Sequence, residues 1–124
     1  MTEWAPDEIK SIRERDDFHI APFRAEGVTA GTLTWIWAVV VDDAVYVRAY
    51  NGTASRWYAS AAAQGAGHIS IGGVVKNVIF TPVQDAELND RIDDAYRAKY
   101  TGSPYLAPML TERVRAASVR VDPR

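Results

Sequence analysis

Two alternating runs, residues 33–41 and 44–50, flank Asp42-Asp43 and constrain this chain more than any other feature. Successive strand side chains point to opposite faces, and a two-residue polar loop between such runs predicts an antiparallel hairpin. With Asp42-Asp43 as the loop, Val41 pairs with Ala44, and the register places Arg48 opposite Trp37. One face then carries Leu33, Trp35, Trp37, Val39 and Val41 with Ala44, Tyr46, Arg48 and Tyr50. The other carries Ile36, Ala38 and Val40 with Val45, Val47 and Ala49. The second face is small and aliphatic, which suits the interior of a small barrel. The aromatic face with its arginine needs a cover: a helix, a second subunit or a flat ligand.

The remaining pattern extends this hairpin into a fold. Pro6, Asp7, Glu8, Ile9 and Ile12 predict a short N-terminal helix over 6–15. A strand follows through Phe18, Ile20 and Phe23, where Pro22 signals an edge or bulge. Glu26-Gly27 turns the chain. Ser55 or Thr53 caps a helix over 56–64, stopped by Gly65 and Gly67. A second hairpin, 68–71 with 74–83, turns at Gly72-Gly73 and places Lys76 among Ile69, Ile71, Val74, Val78 and Phe80. Asp85 caps an amphipathic helix with a stripe of Leu88, Ile92, Ala95, Tyr96 and Lys99 or Tyr100. Its acids Asp90, Asp93 and Asp94 are expected on the solvent face. Residues 114–121 read as a last strand. The expectation is a single α+β domain over 1–124, mainly β, a six-stranded antiparallel split barrel with about three peripheral helices.

Composition excludes several function classes. The chain has no cysteine, so thiolate metal sites, disulfides and thiol nucleophiles are out. Its 14 basic and 16 acidic residues give no case for nucleic acid or an anionic membrane as partner. The first twenty residues are charged throughout, unlike a signal peptide. The longest apolar run, 35–41, is far too short to span a bilayer. A cytoplasmic protein is expected. His19 and His68 lack neighbours of ligand spacing, so no metal is expected, and no phosphate-binding glycine motif or nucleophile elbow occurs.

Three features offer binding chemistry. In YNGTASRW a strand end, a turn and a helix start gather backbone N–H groups, with Arg56 and Trp57 adding charge and a stacking plane. An ordinary turn with a capped helix and a core tryptophan explains the same residues. The Trp35, Trp37, Arg48 and Tyr50 face suits either a planar anionic cofactor or a subunit interface. Lys76 on an apolar face must snorkel, pair with a carboxylate, or meet a ligand oxygen.

Five segments in order, TEWAPDEIKSI, LTWIWAVVVDDAVYVRAYNG, RWYASAAAQGAGHISIGGVVKNVIF, LNDRIDDAYRAKY and ASVRVDPR, resemble the uncharacterised bacterial family known as domain of unknown function 2255. That family is similar to the split-barrel flavin-binding proteins, particularly the deazaflavin-dependent nitroreductases. Asn51, Gly52, Trp57 and Tyr58 match the turn and Trp-Tyr pair found there. The basic glycine loop of those proteins corresponds to residues 23–27, where Arg24 alone is basic and Glu26 is acidic. The resemblance implies a split-barrel homodimer with a groove, FMN or a deazaflavin as cofactor, and reduction of small electron-poor substrates. The expected cofactor residues are Arg24, Arg48, Asn51, Gly52, Arg56, Trp57 and Lys76. Trp35, Trp37 and Tyr50 are expected at the substrate or the interface, and no catalytic residue is nominated. The depleted basic loop keeps a second expectation open, a cofactor-free binding module or structural homodimer that retains the groove.

Overall fold

The computed structural model describes residues 3–24 and 33–124. The predicted Glu26-Gly27 turn, and most of the segment matched to the basic glycine loop, lie outside the described residues. Among the described residues seven strands form one antiparallel sheet, in the order β2-β1-β5-β6-β7-β4-β3. The strands are β1 (His19–Pro22), β2 (Thr34–Trp35), β3 (Ala38–Val41), β4 (Ala44–Arg48), β5 (Ala66–Ile71), β6 (Val74–Pro82) and β7 (Ser118–Pro123). Five helices accompany them: α1 (Pro6–Glu14), α2 (Arg56–Gln64), α3 (Ala86–Lys99), α4 (Leu106–Met109) and α5 (Glu112–Arg115). A single 3₁₀ turn spans Gly52–Ala54.

The connection between β2 and β3 forces the sheet to curl. These are its two outermost strands, yet only Ile36 and Trp37 separate them. A flat seven-stranded sheet would hold its edges about 29 Å apart. Three peptide steps reach about 11 Å at most. The edges must therefore approach each other.

This crossing explains the seventh strand. The expected strand over 33–41 breaks at Ile36-Trp37, so its first piece pairs with β1 (His19 with Trp35) and its second with β4 (Ala38 with Val47). Trp37 thus lies just beyond the last ladder pair, so the expected pairing with Arg48 is not part of the ladder. Both hairpin registers are as read from the sequence, Val41 with Ala44 and Ile71 with Val74. Asp42 and Asp43 take φ of 51° and 63°, the left-handed pair that a tight two-residue hairpin turn requires. Their carboxylates pair with Arg91 of α3 and Arg13 of α1, tying the turn to both helices.

Pro22 sits in an interior strand, at its end. The Phe23 N–H points to Ala66 O of β5, so the proline nitrogen faces the other neighbour, β2. Among the described residues the β2 ladder stops at Ile20, short of Pro22.

The aliphatic hairpin face lines the inside of the curl. Ile36, Ala38, Val45 and Val47 pack there with Ile20, Ile69, Val78, Phe80, Val119 and Val121. From α1, Ile9 and Ile12 join this core, and Lys76 of β6 pairs with the Glu8 carboxylate. Val74, expected on the same face, is exposed beside the turn. The opposite hairpin face meets α3: Val39, Val41, Ala44 and Tyr46 form a second core with Ile92, Tyr96, Tyr100, Met109 and Val114. Over that stretch the cover is a helix of the same chain.

The expected six strands and about three helices are seven and five among the described residues, and two further expectations need correction. Residues 112–115 are helical, and the last strand begins at Ser118 rather than at 114. Val114 is fully buried in the second core, where a helical turn seats it beneath α3. Asp93 is buried rather than solvent-facing, because it shares the inner stripe of Asn89, Ile92 and Tyr96 and meets Arg48 there. No described helix is long and apolar enough to cross a membrane.

Candidate functional site

A groove of ≈ 810 Å³ opens where β2 passes to β3, and three stretches of chain wall it. One wall is Thr34, Trp35 and Trp37. The second is Tyr50, Asn51, Ala54, Ser55, Arg56 and Trp57, and the third comes from α4, with Tyr105 and Met109. Buried Ile36 and Arg48 reach it from below.

The second wall has its shape because the chain turns twice after β4. Gly52 N–H bonds Ala49 O, Ser55 N–H bonds Gly52 O, and α2 begins at Arg56. Gly52 has φ +73°, and a Cβ there would lie 2.9 Å from Arg113 Cγ and 3.2 Å from Arg113 O. Its missing side chain thus makes room for α5, not for a ligand. Ser55 makes no side-chain cap and the first turn of α2 holds no acid. That leaves a helix end with positive character beside the groove.

The tryptophan walls are fixed from behind. Trp35 is 53% exposed, yet its Nε1 donates to Asp16 O at 2.6 Å. Trp37 stacks on Tyr100 with ring centroids 3.8 Å apart and planes 5° from parallel. Tyr96 OH donates to Trp37 O, and Tyr100 OH donates to the Asp16 carboxylate. Lys99 Nζ donates to Ile12 O and Ala38 O, fastening α3 to α1 and β3. Rings held this way stack on a ligand at little entropic cost.

The two arginines near the groove differ in availability. All five N–H donors of Arg48 are spent inside the chain: Nε on Ser118 Oγ, Nη1 on Asp93 Oδ1 and Met109 O, Nη2 on Asn89 O and Oδ1. It holds α3, α4 and β7 together and has no donor left for a ligand. Arg56 is exposed, and its side chain makes no hydrogen bond or ion pair with another described residue.

The groove thus collects Arg48, Asn51, Arg56 and Trp57 from the expected cofactor residues, together with Trp35, Trp37 and Tyr50. Gly52 borders it. Lys76 pairs with Glu8 and is not in its wall, nor is Arg24, which is exposed beside β1. Tyr105 and Met109 were not expected there. Their segment follows Gly102 and Pro104 with no periodicity long enough to mark a helix, so only the fold brings it to the site. Thr111 and Glu112 offered a cap-and-acid signal for α5. A smaller hollow of ≈ 420 Å³ lies among Trp4, Asp42, Asp43, Arg120 and Asp122. Of its acids, Asp42, Asp43 and Asp122 are already paired with Arg91, Arg13 and Arg120.

The groups behind the walls make stability depend on pH. Burial pulls Lys99 down to about 8, opposed by the Asp16 charge. Burial raises Tyr96 and Tyr100 far above the ordinary phenol range, and for Tyr100 the Asp16 carboxylate adds to it. From about pH 8 to 10.5 the unfolded chain keeps the Lys99 proton that the folded chain has lost, so stability rises with pH. Above about pH 10 unfolded tyrosines ionise while the folded ones stay neutral, and stability falls. Urea midpoints of the native protein should therefore climb between about pH 7.5 and 9.5, then drop. Lys99→Met should flatten the climb, and Tyr96→Phe should soften the drop. Equal profiles for native protein and Lys99→Met would show an ordinary lysine.

The fold and groove define a small α+β protein, a curled antiparallel sheet with a ligand-sized aromatic groove in its wall. The chain belongs to the family described as "Uncharacterized protein conserved in bacteria (DUF2255)", which matches residues 8–121. Among solved structures it is similar to the conserved hypothetical protein Rv2991 from Mycobacterium tuberculosis. That likeness has a TM-score of 0.66 at 15% sequence identity, covering 98% of this chain and 80% of that one. No curated protein matches the chain.

Proposed function

We propose that the groove binds a flat flavin-type cofactor, FMN or a deazaflavin, and that the protein is a reductase of small electron-poor substrates. One observation carries the reading: Trp35, Trp37, Tyr50 and Trp57 converge on a single groove that also holds an uncommitted guanidinium, Arg56. The residues present suit such a group. Aromatic walls take the ring faces, Arg56 takes an anionic substituent, and the volume lies in the ordinary range for ligand sites. The resemblance of Asn51, Gly52, Trp57 and Tyr58 to the deazaflavin-dependent nitroreductases points the same way.

When bound, the ring supplies the hydride chemistry. The chain's own residues do the rest. Trp35 and Trp37, pinned by Asp16 and Tyr100, orient the ring. Asn51 offers the N–H donors and the carbonyl acceptor of its amide to a polar edge of such a ring. Met109 and Tyr105 narrow the side left to a substrate, and Arg48 holds that side in place through Met109 O.

Titration of the purified protein with FMN and with oxidised deazaflavin, followed by ring fluorescence, tests the proposal. Saturable binding of one of them is expected, weakened about tenfold by Trp57→Ala, a loss of the size that a stacking ring provides. No saturable change with either ring overturns it.

A further inference from the structure

We infer that the groove selects a ligand carrying a single anionic group, a monophosphate, and that Arg56 is the residue that selects it. The inference rests on the flat-cofactor reading and adds the charge that the cofactor must bring.

Among the described residues most lysines and arginines are committed to carboxylates of this chain, and Lys99 to two backbone carbonyls. The side chains of Lys10, Arg24, Arg56, Arg113 and Arg124 have no partner among the described residues. Of these five only Arg56 lines the groove. Arg113 lies next to it in space, but its stem packs over Gly52 and it is not part of the wall. Residues 25–32 read AEGVTAGT, with one carboxylate and no lysine or arginine, so that segment brings no cation.

A guanidinium forks onto one phosphate through two parallel N–H bonds, a stronger contact than a neutral one. Arg56 stands first in α2, where no acid of the first turn competes for it. A second phosphate brought into the groove finds no further free cation in the described wall and loses hydration without compensation. The specificity expected is therefore monophosphate over the neutral ring compound, with nothing gained from a diphosphate.

Equilibrium binding of riboflavin, FMN and FAD, with 5-deazariboflavin and its monophosphate as a second neutral and phosphorylated pair, tests this by fluorescence. In the native protein the monophosphate should bind about tenfold tighter than its neutral parent, as one charge-assisted contact provides. FAD should be no tighter than FMN. Arg56→Gln should bring the two members of each pair to equal affinity while leaving the neutral compound unchanged, and Arg56→Lys should restore part of the difference. Arg56 is exposed, so these variants keep the fold. A monophosphate no tighter than its neutral parent, or a preference that survives Arg56→Gln, overturns the inference yet leaves the cofactor reading standing. Failure of all five compounds to bind overturns both.

Discussion

Replacing Arg48 by alanine is expected to lower the free energy of unfolding by about 3–5 kcal/mol, the cost of breaking a buried, fully bonded ion pair. Against a typical total of about 5–15 kcal/mol this threatens the fold itself. Arg48 is 1% exposed and lies over the Tyr96 ring, 5.5 Å from its centroid. The variant strips partners from Asn89 O, Met109 O and Ser118 Oγ together. Asp93 keeps one partner, since Arg115 Nη1 donates to its other oxygen at 2.8 Å. That second partner sets the size of the coupling. Asp93→Asn combined with Arg48→Ala should cost clearly less than the sum of the two single changes, because both cut one network. Urea unfolding of the three variants measures this. A loss under about 1 kcal/mol for Arg48→Ala, the scale of a surface pair, would show that the network is solvated.

Gly67→Ala should be the next most damaging change, at about 1–3 kcal/mol, with valine worse. Gly67 sits in β5 between Pro22 of β1 and Val78 of β6. A Cβ there would lie 2.5 Å from Ala21 O, 2.6 Å from Pro22 Cα and 3.0 Å from Phe80 Cε2. Two of those atoms are backbone, so no rotamer change relieves the overlap, and β1 must move. The urea midpoint should fall with little change in slope, since the unfolded chain exposes much the same surface. A native-like midpoint would show that β1 yields freely. The sequence marks Gly67 only as a glycine near a helix end. Gly65 is what ends α2, in the left-handed conformation, and Gly67 belongs to the strand.

The candidate site was legible to the extent that its parts are local. Trp35, Trp37 and Tyr50 stand out as aromatics on a hairpin face that needed cover, and YNGTASRW as a turn feeding a helix. Arg48 illustrates the limit. An arginine on that face admits a ligand, an interface or a buried partner. The choice depends on Asp93, 45 residues away, whose helix presents it inward. Lys76 is similar, since its carboxylate comes from α1. Tyr105 and Met109 have no local signature at all.

What the sequence determined by itself are the interactions between near neighbours: both hairpin registers, the helices α1, α2 and α3, and the division of the first hairpin into an aliphatic and an aromatic face. Two-residue turns and alternating side chains settle these because a slip of one residue turns every side chain to the wrong face. Only the tertiary structure decided that the strand over 33–41 splits at Ile36-Trp37 to bring the sheet's edges together. It also decided that α3 covers part of the aromatic face, and that Arg48 is spent on the core while Arg56 stays free. Each of those outcomes depends on which distant group the fold places against a buried donor or an uncovered face, and spacing along the chain does not encode that.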